Sequence, residues 1–390
     1  MNDLRGERRN QACLLPNADV FGSGRSAAAF YIERSQQNAG RQVSLFHRRS
    51  GMKSTRSLAT FLLAGLCGTA VRSNAQPSSI VAHLGTCKLA SGELLPDCRV
   101  SYRIFGVLNK ERSNAVLLPT WFNGTSQSWA AYLGREGFVD TTVFAALAVD
   151  AFGAGRSTSP SDSAWRQRQF PAVAIRDMVE AQHTLLGQLG IETLHAVVGV
   201  SMGGMQAFEW AVAYPAMVSR MVSIEGSPQL STYDRVQWEA VLHVASTEPA
   251  LGVPRDSVLR QFARLFILAA SSPAGVNARS ADSTPIFIDN QARSLGRLSM
   301  ENMALQLRAM IGHDIAKRTG GDLAAAGRAI QAKVLVVASP DDHAVTPQSA
   351  LSFARAIGAD TLVVPCACGH QVFGVERAQI GVVVRAFLSK

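Results

Sequence analysis

Short, mainly apolar runs recur along the chain, separated by stretches with helical periodicity. Residues 115–118, 143–149, 195–199, 221–224, 333–338 and 361–365 are such runs, each flanked by turn-forming residues. Runs of four to seven mainly apolar residues suit strands buried on both faces. Residues 100–105 alternate apolar and polar side chains, as a half-buried strand does. Cys87 and Cys98 flank a polar stretch that reads as a hairpin turning at Ser91-Gly92. Residues 170–189 predict an amphipathic helix, with Ile175, Met178, Val179, Leu185, Leu186 and Leu189 on one side. Residues 205–214 and 375–388 predict two more helices. Strands alternating with helices predict an α/β fold: a mostly parallel central sheet with helices on both faces.

From 229 to 329 the alternation stops. Residues 235–246, 257–270, 297–318 and 323–331 predict helices, and no buried strand is apparent between them. The expected organisation is a core built from 76–228 and 330–390, with 229–329 as an inserted helical cap. No internal repeat is evident.

The 390 residues are 47% hydrophobic, ample for a large core. A net charge of +9 invites a nucleic-acid reading, but its location argues against one. Residues 1–75 hold 11 basic and 4 acidic side chains; the remaining residues hold 27 and 25. The part expected to fold is thus nearly neutral and has no basic, aromatic-interleaved patch. Residues 1–51 are rich in Arg, Ser and Gln and read as a disordered extension. From Met52 a short positive segment precedes the apolar run 58–66, and small-residue cleavage sites follow. Residues 52–75 therefore read as a signal peptide for a periplasmic or secreted protein, too short in its apolar run to anchor it in a membrane. Export permits a Cys87–Cys98 bridge. Cys366-Ala-Cys368 lacks the second pair of a structural zinc site and reads as two buried thiols; no metal and no cofactor are implied.

The chemistry gathers at Gly199-Val-Ser201-Met-Gly203, between an apolar run and a helical pattern. Strand, G-x-S-x-G and helix in that order are the context of a nucleophile elbow. A serine hydroxyl needs a base to take its proton, usually an imidazole, and an acid to hold that imidazole. Run 333–338 is followed by Asp341 and Asp342; Asp342 is the preferred acid, with Asp341 in reserve. Run 361–365 is followed by His370, the expected base. His343 adjoins the acid too closely in sequence to face it, His313 precedes the acid, and His183 and His243 fall on predicted helices. The oxyanion needs two backbone donors. One is the Met202 N–H; the other comes from the loop after 115–118, from Phe122 or Trp121. Asn123 could add a side-chain donor.

These residues make the chain resemble the homoserine O-acetyltransferase branch of the α/β-hydrolase superfamily. Residues 175–194 and 199–211 carry most of the likeness, with weaker agreement at 333–342 and at Gly369, His370 and Phe373. The resemblance implies an α/β-hydrolase fold, acyl-serine chemistry under a helical cap, and often a homodimer. It maps the nucleophile onto Ser201, the acid onto Asp342, the base onto His370 and the loop donor onto Phe122. Three features depart from it. Gln371 stands where the homoserine enzymes carry an aspartate that helps bind the substrate amine. Residues 150–157 replace their Gly-Ser-rich segment. An exported enzyme, moreover, would not meet acetyl-CoA. The expected function is hydrolysis of an ester or related small acyl substrate, with Trp121 and Gln371 lining the substrate site. The alternative is an O-acyltransferase that moves the acyl group to a substrate hydroxyl. A non-catalytic binding protein is a third reading, which the complete Ser, Asp, His order disfavours.

Overall fold

The structure, a computed structural model, describes residues 77–390, with the side chains of 247–251 left aside. The expected extension and signal peptide lie outside the described residues.

Two antiparallel strands begin the fold, β1 (Ile80–Lys88) and β2 (Leu94–Phe105), joined through the predicted turn. Cys87 and Cys98 form a disulfide across this hairpin. β3 (Ala115–Pro119), β4 (Ala145–Val149), β5 (Ala196–Val200) and β6 (Arg220–Ile224) follow, then β7 (Lys333–Ala338) and β8 (Asp360–Val363). The sheet order is β1-β2-β4-β3-β5-β6-β7-β8. β2 meets β4 antiparallel, and every later pairing is parallel.

The pleat divides the apolar runs between two cores. Ala115, Leu117 and Val197 face one side; Val116, Leu118, Ala196, Val198 and Val200 face the other. On the first side pack α1 (Ile175–Gln188) and α2 (Met202–Ala213). Trp129, Phe138 and Phe387 cover the second. Burial of both faces is why these strands carry no polar alternation.

Between β6 and β7 every helix or strand is helical: α3 (Thr232–Leu251), α4 (Arg255–Ala270), α5 (Pro273–Asn277), α6 (Thr284–Leu295), α7 (Met300–Ile311) and α8 (Leu323–Ala329). After β7 come α9 (Pro347–Ala356), then α10 (Val372–Val375) and α11 (Arg377–Leu388) beyond β8. No helix among the described residues is long and apolar enough to cross a membrane.

Where element bounds differ from the sequence pattern, local polar groups explain it. β4 starts at Ala145, not at Val143, because the N–H groups of Val143 and Phe144 turn back onto Asp140 O. α1 starts at Ile175, where the Asp177 carboxylate accepts the Ala174 N–H at 2.8 Å and so caps the first turn. The single helix predicted over 297–318 ends at Ile311. Asp314 then caps a separate 3-10 turn by accepting the Ala316 N–H at 2.9 Å. Cys366 and Cys368 are a correction. They are half-buried and joined to each other, not buried thiols, because the turn closed by Gly369 N–H to Cys366 O brings their Cα atoms to 5.0 Å.

Candidate active site

Ser201 follows β5 directly and has φ 53° and ψ −119°, a conformation that L residues seldom hold. Its N–H donates to Ile224 O at the end of β6, at 2.8 Å. The chain can turn this sharply only because its flanks lack side chains. A Cβ on Gly199 would lie 2.0 Å from Gly203 O, and one on Gly203 would lie 2.5 Å from Pro119 O. The hydroxyl is thus presented at the sheet's C-terminal edge, above the first turn of α2.

Two hydrogen bonds extend from that hydroxyl. His370 Nε2 lies 2.8 Å from Ser201 Oγ, and His370 Nδ1 lies 2.7 Å from Asp342 Oδ2. All three residues are buried. The other carboxylate oxygen of Asp342 accepts the N–H groups of Ala344 and Val345 at 2.8 and 3.0 Å. Three donors therefore meet Asp342 and fix its orientation. Nδ1 carries the proton in this arrangement, which leaves Nε2 to accept the serine proton. Asp341 serves elsewhere: its carboxylate accepts the Cys366 N–H at 3.2 Å and ties the loop after β7 to the loop after β8.

The His370 loop also rests on the helical insertion. Ser272, which caps α5, donates its hydroxyl to Ala367 O at 2.5 Å. Gly369 has φ 62°, and a Cβ there would come within 2.7 Å of Ser272 N. The rival histidines stand apart from the serine. His313 is fully buried with Nε2 3.0 Å from Ser227 O; loss of water there pushes its pKa down to about 3, so it is neutral. His183 stacks on Tyr214, and His343 lends its carbonyl to Gln237 Nε2. His243 lies on the exposed side of α3.

The loop after β3 brings Phe122 and Asn123 over the serine. Neither the Phe122 N–H nor the Met202 N–H has a protein acceptor among the described residues, so both stay free for a ligand oxygen. Asn123 takes φ 60°, and its N–H donates to Gln306 Oε1 at 2.9 Å. Gln306 Nε2 donates in turn to Phe152 O at 3.0 Å. This buried glutamine of α7 thus fastens the donor loop from the far side of the sequence. Nothing in the local pattern around it predicted that role; a glutamine on the apolar face of a helix was the one available signal. Asn123 Nδ2 is buried without a partner and lines the cavity, as a spare donor. Beneath the loop, Gln206 Nε2 donates to Thr120 O at 3.0 Å, and its oxygen accepts from Gln182 at 2.7 Å. That relay keeps α2 and the donor loop in register.

Ser201 and His370 open onto a cavity of about 520 Å³. Its walls include Trp121, Phe122, Trp238, Phe266, Phe287 and Gln371, so both residues expected to meet substrate, Trp121 and Gln371, are present. α4 and α6 of the insertion supply much of the roof. Among the described residues, Arg279, set over the Phe287 ring, is the one Lys or Arg that lines it, and no Asp or Glu does.

Comparison with known proteins agrees with this geometry. The family described as alpha/beta hydrolase fold matches residues 114–376, well over half of the chain. The chain belongs to the α/β-hydrolase family. It is 33% identical to ethyl acetate hydrolase of Pseudomonas veronii over 287 residues, covering 69% of this chain and 82% of that one. It is 29% identical to homoserine O-acetyltransferase of Thermobifida fusca over 348 residues, covering 77% and 91%. The structure of the acetyl esterase MekB superposes with a TM-score of 0.75 at 29% identity, covering 81% of this chain and 98% of that one. This α/β hydrolase is therefore an enzyme of the serine hydrolase or acyltransferase kind, and small acyl compounds fit its relatives' substrates.

Proposed function

We propose that this α/β hydrolase is an exported serine esterase that cleaves small carboxylic esters through an acyl-enzyme. The observation that carries the reading is the pair of hydrogen bonds linking Ser201, His370 and Asp342. Ser201 Oγ attacks the ester carbon while His370 Nε2 takes its proton. The N–H groups of Met202 and Phe122, with Asn123 Nδ2 beside them, receive the negative charge that develops on the carbonyl oxygen. His370 then returns the proton to the departing alcohol. Water, deprotonated by the same imidazole, releases the acid and restores the serine.

Hydrolysis is favoured over transfer to homoserine by the walls of the cavity. An amino-acid acceptor carries an ammonium group, and no carboxylate among the described residues lines the cavity to pair with it. The exposed Gln371 offers only a neutral amide where an acceptor amine would need charge. Ethyl acetate hydrolase among the relatives supports a short acyl group. Export is supported by the signal-peptide pattern at 52–75 and by the two disulfides, which persist in oxidising compartments.

The test is a p-nitrophenyl acetate burst with the chain from residue 76, run beside a mixture of acetyl-CoA and homoserine. A burst lost in Ser201→Ala, with steady turnover in water, supports the esterase. Acetyl-homoserine accumulating faster than acetate would replace it with the transferase.

A further inference from the structure

Glu225 leaves the end of β6 and is buried at 2% exposure, yet neither of its carboxyl oxygens has a hydrogen-bond partner among the described residues. Its backbone is held at φ 52°, a region that favours glycine, by its N–H donating to Val337 O of β7 at 2.8 Å. An unpartnered buried carboxyl is costly, and so is this backbone shape, so the position calls for an explanation.

Its surroundings supply one. β6 and β7 are neighbours in the sheet, with Ile224 opposite Val337. Residues leaving their C-terminal ends therefore converge on the same loop. A carboxyl oxygen of Glu225, one of Asp342 and a ring nitrogen of His370 all lie within 4.8 Å of one another. Among the described residues, Asp342 and His370 are the titratable groups close to Glu225. The Phe373 N–H lies near the carboxyl and weakly favours its charge, without completing a hydrogen bond.

Two carboxyls this close and this buried do not both ionise. Asp342 meets three donors, whereas Glu225 meets none among the described residues. Burial first, and the Asp342 charge second, push the Glu225 carboxyl well above its ordinary range, so it keeps its proton. A protonated carboxyl thus stands within 4.8 Å of the carboxylate–imidazole pair without bonding to it.

We propose that Glu225 is a second acid for His370, a positioning residue that takes over the imidazole when the Asp342 carboxylate is removed. The inference rests on reading His370 as the general base. To act, Glu225 loses its proton to solvent and its carboxylate accepts the Nδ1–H that Asp342 no longer holds. The glutamate is one methylene longer than the aspartate, and Asp342→Ala opens the space between them.

The experiment compares Asp342→Ala, Glu225→Gln and the double variant in p-nitrophenyl acetate hydrolysis. Loss of a triad acid with no substitute costs about 10⁴-fold in kcat. With Glu225 in place, Asp342→Ala is expected to keep kcat within about 10²-fold of the parent, and the double variant to fall by a further factor of about 10². The rate of Asp342→Ala is also expected to rise with pH through one more ionisation than the double variant shows. Added formate should restore the double variant more than Asp342→Ala. Should Asp342→Ala fail to fold, Asp342→Ser, whose hydroxyl can accept the Ala344 N–H, replaces it. A loss near 10⁴-fold in the single variant, or a double variant no slower than it, overturns the proposal. Ser201→Ala and His370→Ala run alongside; activity surviving in either would instead overturn the reading of the site itself.

Discussion

Gln306 Oε1 accepts the Asn123 N–H at 2.9 Å, joining residues 183 positions apart. Through this bond a helix of the insertion sets the shape of the loop that carries the Phe122 N–H. The loop's donors act only if they point at the oxygen that becomes charged, so the bond bears on the transition state more than on the ground state. Gln306→Leu is expected to lower kcat about 10- to 10²-fold and to change KM by a smaller factor. Steady-state kinetics on p-nitrophenyl acetate separates the two, and a loss confined to KM would show that the loop is held by something else.

For the elbow itself the expected effects are larger. Ser201→Ala and His370→Ala should each lower kcat by about 10⁵- to 10⁶-fold, and combining them should add little, because the two groups act as a unit. Fluorophosphonate labelling gives an independent check: the Ser201 variant should not label, and the His370 variant should label slowly.

His313 should govern part of the acid stability. Its folded pKa is depressed to about 3 by burial, against 6.5 for the free side chain. The unfolded chain takes up this proton as pH falls below 6.5, and the native chain does not. The contribution is therefore present in full above 6.5 and drains away between 6.5 and 3, at up to about 1.4 kcal/mol per pH unit. In His313→Gln, whose amide can still donate to Ser227 O, denaturant midpoints should fall less steeply over that window. Parallel curves for the two proteins would exclude the effect.

The Cys87–Cys98 bridge closes a short loop whose ends are 11 positions apart. Loop-closure entropy for that length corresponds to about 3 kcal/mol of stability. The Cys87→Ala, Cys98→Ala double variant should unfold at lower denaturant by that amount. Its kcat below the transition should stay close to the parent value, since the hairpin sits at the far edge of the sheet from β5. Equilibrium urea unfolding and kinetics on the same preparation test both halves.

Much of this could be read from local sequence, and what escaped shares a cause. β7 spans the same six residues as the apolar run at 333–338. The G-x-S-x-G turn announces Ser201, because its glycines answer a steric demand made within five residues. Asp342 and His370 follow strands that can be recognised one at a time. Glu225 and Gln306 could not be recognised that way. Glu225 reads as part of a polar turn; its burial follows from β6 lying beside β7, across an insertion of about a hundred residues. Gln306 reads as one polar residue in an apolar helix, and its partners come from two distant loops. α6 and α9 likewise carry no clear helical signal in the sequence. Each has a proline at its start, which in isolation suggests a loop but here occupies the first turn, where its missing N–H costs nothing. The Cys366–Cys368 pairing depended on the tight turn that follows β8, which the sequence does not display.

The bond from Ser272 to Ala367 couples two parts of the enzyme usually considered separately. A guest too bulky for the cavity must push against α4 and against Ser271 just beyond its end, and the next residue, Ser272, is fastened to the strip of chain that ends in His370. Such a guest disturbs the proton relay as it settles. Selection among substrates should then appear as slow turnover of compounds that nonetheless bind, so a screen by affinity alone would rank them wrongly.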